Sequence, residues 1–220
     1  MVATGMAILS LRSNFAINHL RAAARAARDA NDIEQANATA AFGPWFDEMM
    51  RLVPVSIVMA AAALEANANE LIQDILDGST MLLRTKGCRL LLVELKKDRS
   101  GSATDRYWRL ALLFDKEPDT GTAAWKDSKL LANFRNSFMH FKPAWDHEKA
   151  IHDSDLVKAL KSKVPICPAY QSNFQFPYGF MTYGCARWSV KSVPAFSSEF
   201  STLLGVKDTF VAPGLNFTLP

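Results

Sequence analysis

The residues with the clearest chemical potential lie close together in the middle of the chain. Arg135, Asn136 and His140 end an apolar helical pattern in the order Arg-Asn-x3-His. An arginine keeps its charge at any physiological pH and offers a planar set of N–H donors that matches phosphate oxygens. A histidine gains or loses a proton near neutral pH. These residue types could therefore bind a phosphodiester and transfer protons on it.

The spacing alone does not select this chemistry, because an arginine and a histidine on one helix often form only a cap or a salt bridge. Asn136 and His140 share one face of a regular helix, whereas Arg135 and His140 differ in direction by about 140°. Two arrangements could bring Arg135 and His140 together. The last helical turn before Pro143 could loosen, or a twofold dimer could set this helix end beside its copy.

Three separated segments resemble the HEPN superfamily, a group of all-helical domains that includes metal-independent RNases of toxin and phage-defence systems. The Arg-x4-His spacing at 135–140 resembles its motif, residues 64–71 (LEANANEL) its second bundle helix, and residues 178–188 the start of its closing helix. The matches occur in the expected order and cover most of residues 55–204. The resemblance does not extend well to the first 45 or so residues or beyond Gly205.

The resemblance implies an all-α, HEPN-like bundle in a homodimer whose paired motifs form a composite cleft. It implies an endoribonuclease that needs no cofactor and no metal and leaves 2′,3′-cyclic phosphate and 5′-hydroxyl ends. His140 would transfer protons, Arg135 would stabilise phosphate charge, and Asn136 would orient the phosphate or the imidazole. An antitoxin or a nucleotidyltransferase would be a natural partner. The alternative is a non-catalytic HEPN-like interaction module that binds a partner protein or a nucleotide.

Glu65 and Asn69 are the candidates for a supporting role. They lie four residues apart and continue a row that reads Ala61 and Ala62 one turn earlier, so both could point inward. Buried polar groups need partners. A structural hydrogen bond to a neighbouring helix is favoured over a role beside Arg135 and His140.

Other motifs support rival chemistries less well. A metal cluster can be drawn from His140, His147 and His152 with Asp146, Glu148 and Asp153, but its spacing matches no recognised helix-borne ligand motif. Gly179-x4-Gly184 lacks the Lys and Ser/Thr of a phosphate-binding loop. We expect Cys185 to be a core residue. Three tryptophans are expected in the core first and as base-stacking platforms second: Trp108, Trp125 and Trp188.

Composition limits the class of protein. The 220 residues are 49% hydrophobic and 21% charged, as expected for one globular domain over 1–220. The net charge of +3 permits RNA binding but does not require it. Three cysteines at long spacings indicate neither a disulfide scaffold nor a zinc site. The longest apolar run, Leu52 to Leu64, is too short to cross a bilayer. Met1 to Leu11 does not read as a secretory signal, so we expect a cytoplasmic protein without membrane contact.

The periodicity of the chain predicts only helices. An N-terminal helix is predicted at about 10–35 and carries a solvated basic stripe. The bundle core, which irregular loops interrupt, spans about 55–204, and a tail follows at 205–220. A long helix should start with Pro54 in its first turn and end near Asp77, with a buried seam at Ile57, Ala61, Leu64, Ala68, Leu71 and Ile75. Further helices are predicted at 88–97, 107–114, from the N-cap Thr122 to Pro143, at 148–163, and at 183–204.

Overall fold

The computed structural model of the chain describes residues 12–81, 83, 85–98, 101–143, 145, 147–211 and 217–220. All regular secondary structure in these residues is helical, which confirms the predicted all-α class. The α-helices are α1 (Ala16–Ala36), α2 (Trp45–Leu76), α3 (Lys86–Lys97), α4 (Ala103–Leu113), α5 (Ala123–Met139), α6 (Lys149–His152), α7 (Asp155–Lys161) and α8 (Tyr183–Leu204). Two 3-10 turns, Pro168–Tyr170 and Tyr178–Phe180, lie between α7 and α8.

The central helix of the bundle is α2, which packs against α1, α3, α4, α5 and α8. Its predicted seam is confirmed, because all six side chains are at most 9% exposed. The helix also ends as predicted, with Asp77 as the C-cap. Gly78 follows at a φ of 73°, where glycine avoids the steric cost that a side chain would bring.

The start of α2 differs from the prediction. Pro54 lies inside the helix, which begins at Trp45. An internal proline removes a backbone hydrogen bond and costs about 3 kcal/mol. Phe46, Met49 and Val53 are buried at 4% exposure or less, and each such side chain stabilises the fold by roughly 1.5–3 kcal/mol. Burial of this extra segment therefore outweighs the defect at Pro54.

The length and apolar composition of α2 would also suit a membrane span. Central helices of water-soluble proteins share that property, and 14 residues of α2 are buried within the bundle. The helix is therefore weak evidence for a membrane, and the cytoplasmic location stays a prediction.

The N-terminal helix is an integral part of the bundle. α1 packs against α2 and α8 through a fully buried face that includes Leu20, Ala23 and Ala27. The carboxylate of Glu70 on α2 accepts hydrogen bonds from the N–H groups of Phe15 (2.6 Å) and Ala16 (2.9 Å). A carboxylate at the N-terminal end of a helix also complements the helix dipole, so Glu70 fixes the start of α1 against α2.

The prediction of a single helix at 148–163 is wrong, because the structure has two helices there, α6 and α7. Ser154 accepts a hydrogen bond from the N–H of Val157 at 3.4 Å and caps the start of α7. A serine that caps a helix has non-helical backbone angles, so the chain breaks between α6 and α7. The closing helix α8 has the predicted bounds, with Pro194 inside it and Gly205 at a φ of 71° after it.

Candidate active site

Arg135, Asn136 and His140 lie at the C-terminal end of α5. The helix begins at the predicted N-cap, where the Thr122 hydroxyl accepts a hydrogen bond from the N–H of Trp125 at 3.2 Å. It ends at Met139, before the predicted Pro143, and His140 is its C-cap with φ −119° and ψ 35°. The N–H of His140 still donates to the carbonyl of Asn136 at 2.9 Å. The last turn is therefore intact and does not loosen to bring Arg135 and His140 together.

The side chains of Asn136 and His140 face solvent. Both residues are exposed, and the described part of the chain contains no hydrogen-bond or ion-pair partner for either side chain. Met139 and Phe141 beside them are 59% and 43% exposed. The helix end therefore exposes an amide, an imidazole and two apolar side chains.

Arg135 is held by a contact with α2. One guanidinium nitrogen forms an ion pair with the carboxylate of Glu65 on α2, and the Arg135 and Glu65 side chains are 23% and 40% exposed. Exposed ion pairs contribute at most about 1 kcal/mol to stability. A guanidinium has five N–H donors, so a single contact with Glu65 leaves others for an anion. The pair orients Arg135 at the surface.

Asn69, the second candidate for support, does not join this group. Its side chain is exposed and accepts a hydrogen bond from Arg106 of α4 at 2.7 Å. The same guanidinium donates to the backbone carbonyl of Asp98 at 2.9 Å. The prediction of a bond to a neighbouring helix is thus confirmed for Asn69, whereas an inward orientation is wrong.

The buried amide on this part of α2 is Asn67, which the sequence reading missed. Its amide nitrogen donates to the Tyr107 hydroxyl at 2.9 Å, and that hydroxyl donates to the carbonyl of Leu64 at 3.2 Å. Burial raises the pKa of the Tyr107 phenol well above its usual value. Helical periodicity could have identified Asn67 as buried, because it follows Ala60 by two turns on the buried side of α2. This link joins α2 to α4 and is structural.

His152 cannot serve the rival metal cluster as it stands. It is 7% exposed, and its Nδ1 accepts a hydrogen bond from the N–H of Phe176 at 3.0 Å. Because a backbone N–H can only donate, the ring proton lies on Nε2, which donates to the Trp145 carbonyl at 3.1 Å. Both ring nitrogens are therefore occupied. Among the described residues no group of three or more His, Cys, Asp or Glu could hold a metal ion; Asp146 lies outside them.

The three tryptophans and the cysteine that were expected in the core differ in burial. Trp125 is 6% exposed and packs edge-on against Phe196 at 5.2 Å, and Cys185 is fully buried, as predicted. Burial alone raises the pKa of the Cys185 thiol, which makes it a poor nucleophile. Trp188 is half-buried. The core prediction is wrong for Trp108, which is 43% exposed on α4. The buried face of α4 carries Tyr107, Leu110 and Ala111 instead.

Comparisons of the chain with protein-family profiles, with curated proteins and with solved structures found no match. The geometry at the end of α5 is therefore the basis for a functional interpretation.

Proposed function

We propose that the protein is a metal-independent endoribonuclease of a toxin–antitoxin or phage-defence type. The observation that supports this most is the position of Arg135, which Glu65 holds at the same helix end that exposes Asn136 and His140. A structural pair would require Arg135 and Glu65 alone. The neighbouring amide and imidazole have no structural partner in the described part of the chain, and they are the groups that phosphodiester cleavage uses.

The chemistry needs two proton transfers and one stabilised charge. A base removes the proton from a 2′-hydroxyl, whose oxygen attacks the adjacent phosphorus. Negative charge grows on the phosphorane oxygens, and the 5′-oxygen leaves with a proton. His140 carries the proton work, Arg135 stabilises the phosphorane, and Asn136 orients the phosphate or the imidazole. The products are a 2′,3′-cyclic phosphate and a 5′-hydroxyl.

A single copy arranges these groups poorly. Because α5 is regular as far as Met139, Arg135 and His140 diverge by about 140° around the helix. A twofold dimer resolves the problem, because the Arg135 of one copy can face the His140 of the other. A twofold interface is self-complementary, so the exposed Met139 and Phe141 of one copy can cover those of its partner. We therefore propose a homodimer with a composite cleft.

A second candidate function is a non-catalytic module that binds a partner protein or a nucleotide. The ion pair between Glu65 and Arg135 favours it, because the same contact would also brace α2 against α5 in a protein without catalysis. The two functions differ in what removal of His140 should do. A contact that only holds α2 against α5 does not depend on His140, whereas an RNase requires His140 for proton transfer.

The experiment is cleavage of single-stranded RNA by the purified protein in excess EDTA, with analysis of the product ends. We expect cleavage to continue, because side chains supply both the proton transfer and the charge stabilisation, and we expect cyclic phosphate ends. Loss of cleavage on chelation, with recovery on adding a divalent ion, would contradict the mechanism. The absence of cleavage with and without metal would favour the interaction module.

A further inference from the structure

The exposed face of α5 continues far beyond the proposed site. Its solvent-facing polar residues lie at alternating steps of three and four, all of them exposed: Lys126, Lys129, Asn133, Asn136 and His140. On a regular helix these positions fall within about 80° of one another. They form one stripe that runs from two cations near the start of α5 to the imidazole at its end.

Beside the two lysines lies a cleft between α4 and α5. We call it the Trp108 cleft; it has a volume of about 460 Å³ and is lined by Trp108, Lys126 and Lys129 together with Thr104, Asp105, Thr120 and Trp125. The indole of Trp108 is 43% exposed, whereas Trp125 in the same lining is buried. An exposed indole offers a flat surface that can stack on a planar ring.

The charge of the Trp108 cleft is positive. Neither Lys126 nor Lys129 forms an ion pair with a described residue. The lining of the cleft contains these two cations and one carboxylate, that of Asp105, so the balance is positive. The Asp105 carboxylate accepts hydrogen bonds from the N–H (3.1 Å) and the hydroxyl (2.7 Å) of Ser102 in a capping box, which hold it at the start of α4. Asp127, the other carboxylate nearby on α5, does not line the cleft and pairs with Lys163 at 2.9 Å.

We propose that the Trp108 cleft is a subsite for single-stranded RNA, in which Trp108 stacks on an unpaired base and the two lysines contact the adjacent phosphates. Cations that follow the backbone and an aromatic side chain that accepts any base are the combination that single-strand binders use. A duplex hides its base faces, so the subsite selects single strands. This inference rests on the proposed function where it directs the strand along the stripe towards His140.

The geometry sets a minimum substrate length. Lys129 and His140 are separated by about 16 Å along the axis of α5, at 1.5 Å per residue. A stacked strand covers that distance in about five nucleotides, at roughly 3.4 Å each. RNAs that extend at least this far on one side of the scissile bond should therefore gain affinity from the Trp108 cleft.

Binding can be tested without cleavage in the His140→Ala protein, by fluorescence anisotropy with a labelled oligoadenylate of about 12 nucleotides. Trp108→Ala should weaken binding roughly tenfold or more, whereas Trp108→Phe, which keeps a stacking ring, should weaken it much less. Replacing Lys126 and Lys129 by Ala should flatten the log–log dependence of affinity on salt by about 1.4, at 0.7 per phosphate contact. The control replaces Lys191 and Lys207, two exposed lysines that do not line the cleft.

Equal losses in the Lys191/Lys207 control, unchanged binding in Trp108→Ala, or equal affinity for duplex and single strand would each overturn the subsite. A kinetic readout in the otherwise native protein is independent. Lengthening the RNA past about five nucleotides on one side of the scissile bond should lower KM for the native chain but not for the Lys126/Lys129 variant. The value of kcat should stay unchanged in both. Trp108-dependent binding without any cleavage would support the subsite and overturn the ribonuclease. Cleavage that ignores Trp108 and both lysines would do the reverse.

Discussion

His140 and His152 are the same residue type in neighbouring regions, and the structure gives them opposite environments. His140 caps α5 with an exposed ring that has no partner in the described part of the chain. His152 is buried, and both of its ring nitrogens are engaged by the backbone of Trp145 and Phe176. A ring with two fixed hydrogen bonds holds the fold, whereas an exposed ring without such bonds is available for proton transfer.

The largest effect that this comparison predicts belongs to His140. Replacing it by alanine should lower the rate of RNA cleavage on the order of 10²–10⁴-fold, because proton transfer is lost. Thermal unfolding should be unchanged within about 0.5 kcal/mol, as expected for an exposed side chain. Initial rates and calorimetry on the same preparation test both parts. Full activity in this variant would remove His140 from the mechanism.

The opposite result is expected for His152→Ala. The substitution leaves the buried N–H of Phe176 without a partner and removes one of the two hydrogen bonds that the Trp145 carbonyl accepts, which should cost about 2–3 kcal/mol of stability. That corresponds to a fall in Tm of roughly 5–10 °C for a chain of this size. Cleavage at a temperature where the variant stays folded should be normal. Lys149→Ala, at an exposed position of α6 one turn before His152, is the control and should change neither quantity.

The apolar surface beside His140 can be tested with Phe141→Glu. It places like charges across the proposed twofold axis and should weaken self-association and cleavage together, on the order of tenfold in each. Sedimentation velocity and rates should be measured at matched concentrations. Val211→Glu changes another exposed apolar residue and should affect neither. A native chain that is monomeric at micromolar concentration, yet active, would contradict the composite cleft.

The smallest effect is predicted for the support of Arg135. Glu65→Gln keeps the size of the side chain but removes the charge that anchors the guanidinium, so cleavage should fall by roughly tenfold or less. Stability should change by less than about 1 kcal/mol. Asn69→Ala, one turn away on α2 and bonded to Arg106, is the matched control and should leave cleavage intact. Equal losses in both variants would indicate a general disturbance of α2.

Local chemistry made several elements predictable from sequence. The seam of α2, the N-cap at Thr122 and the bounds of α8 follow from apolar periodicity and capping preferences. The start of α2 was not predictable in this way. Tertiary burial of Phe46 and Met49 outweighs the local cost of Pro54, and no local pattern reports such long-range packing.

The candidate site was predictable in its residue types and only partly in its arrangement. The sequence identifies Arg135, Asn136 and His140, but the partner of Arg135 depends on how α2 and α5 cross. The same is true of the exposure of Trp108, which depends on how α4 meets α5. Neither crossing can be deduced from the spacing of residues within one helix.

The composite cleft is tested most directly by mixing two inactive variants, Arg135→Ala and His140→Ala, after partial unfolding and refolding together. If Arg135 of one copy acts with His140 of the other, a mixed dimer contains one intact cleft. Half of the dimers are mixed by statistics and each has one intact cleft of two, so about a quarter of the native activity should return. Activity that stays at the level of the separate variants, in a mixture that demonstrably forms mixed dimers, would contradict a cleft built from both copies.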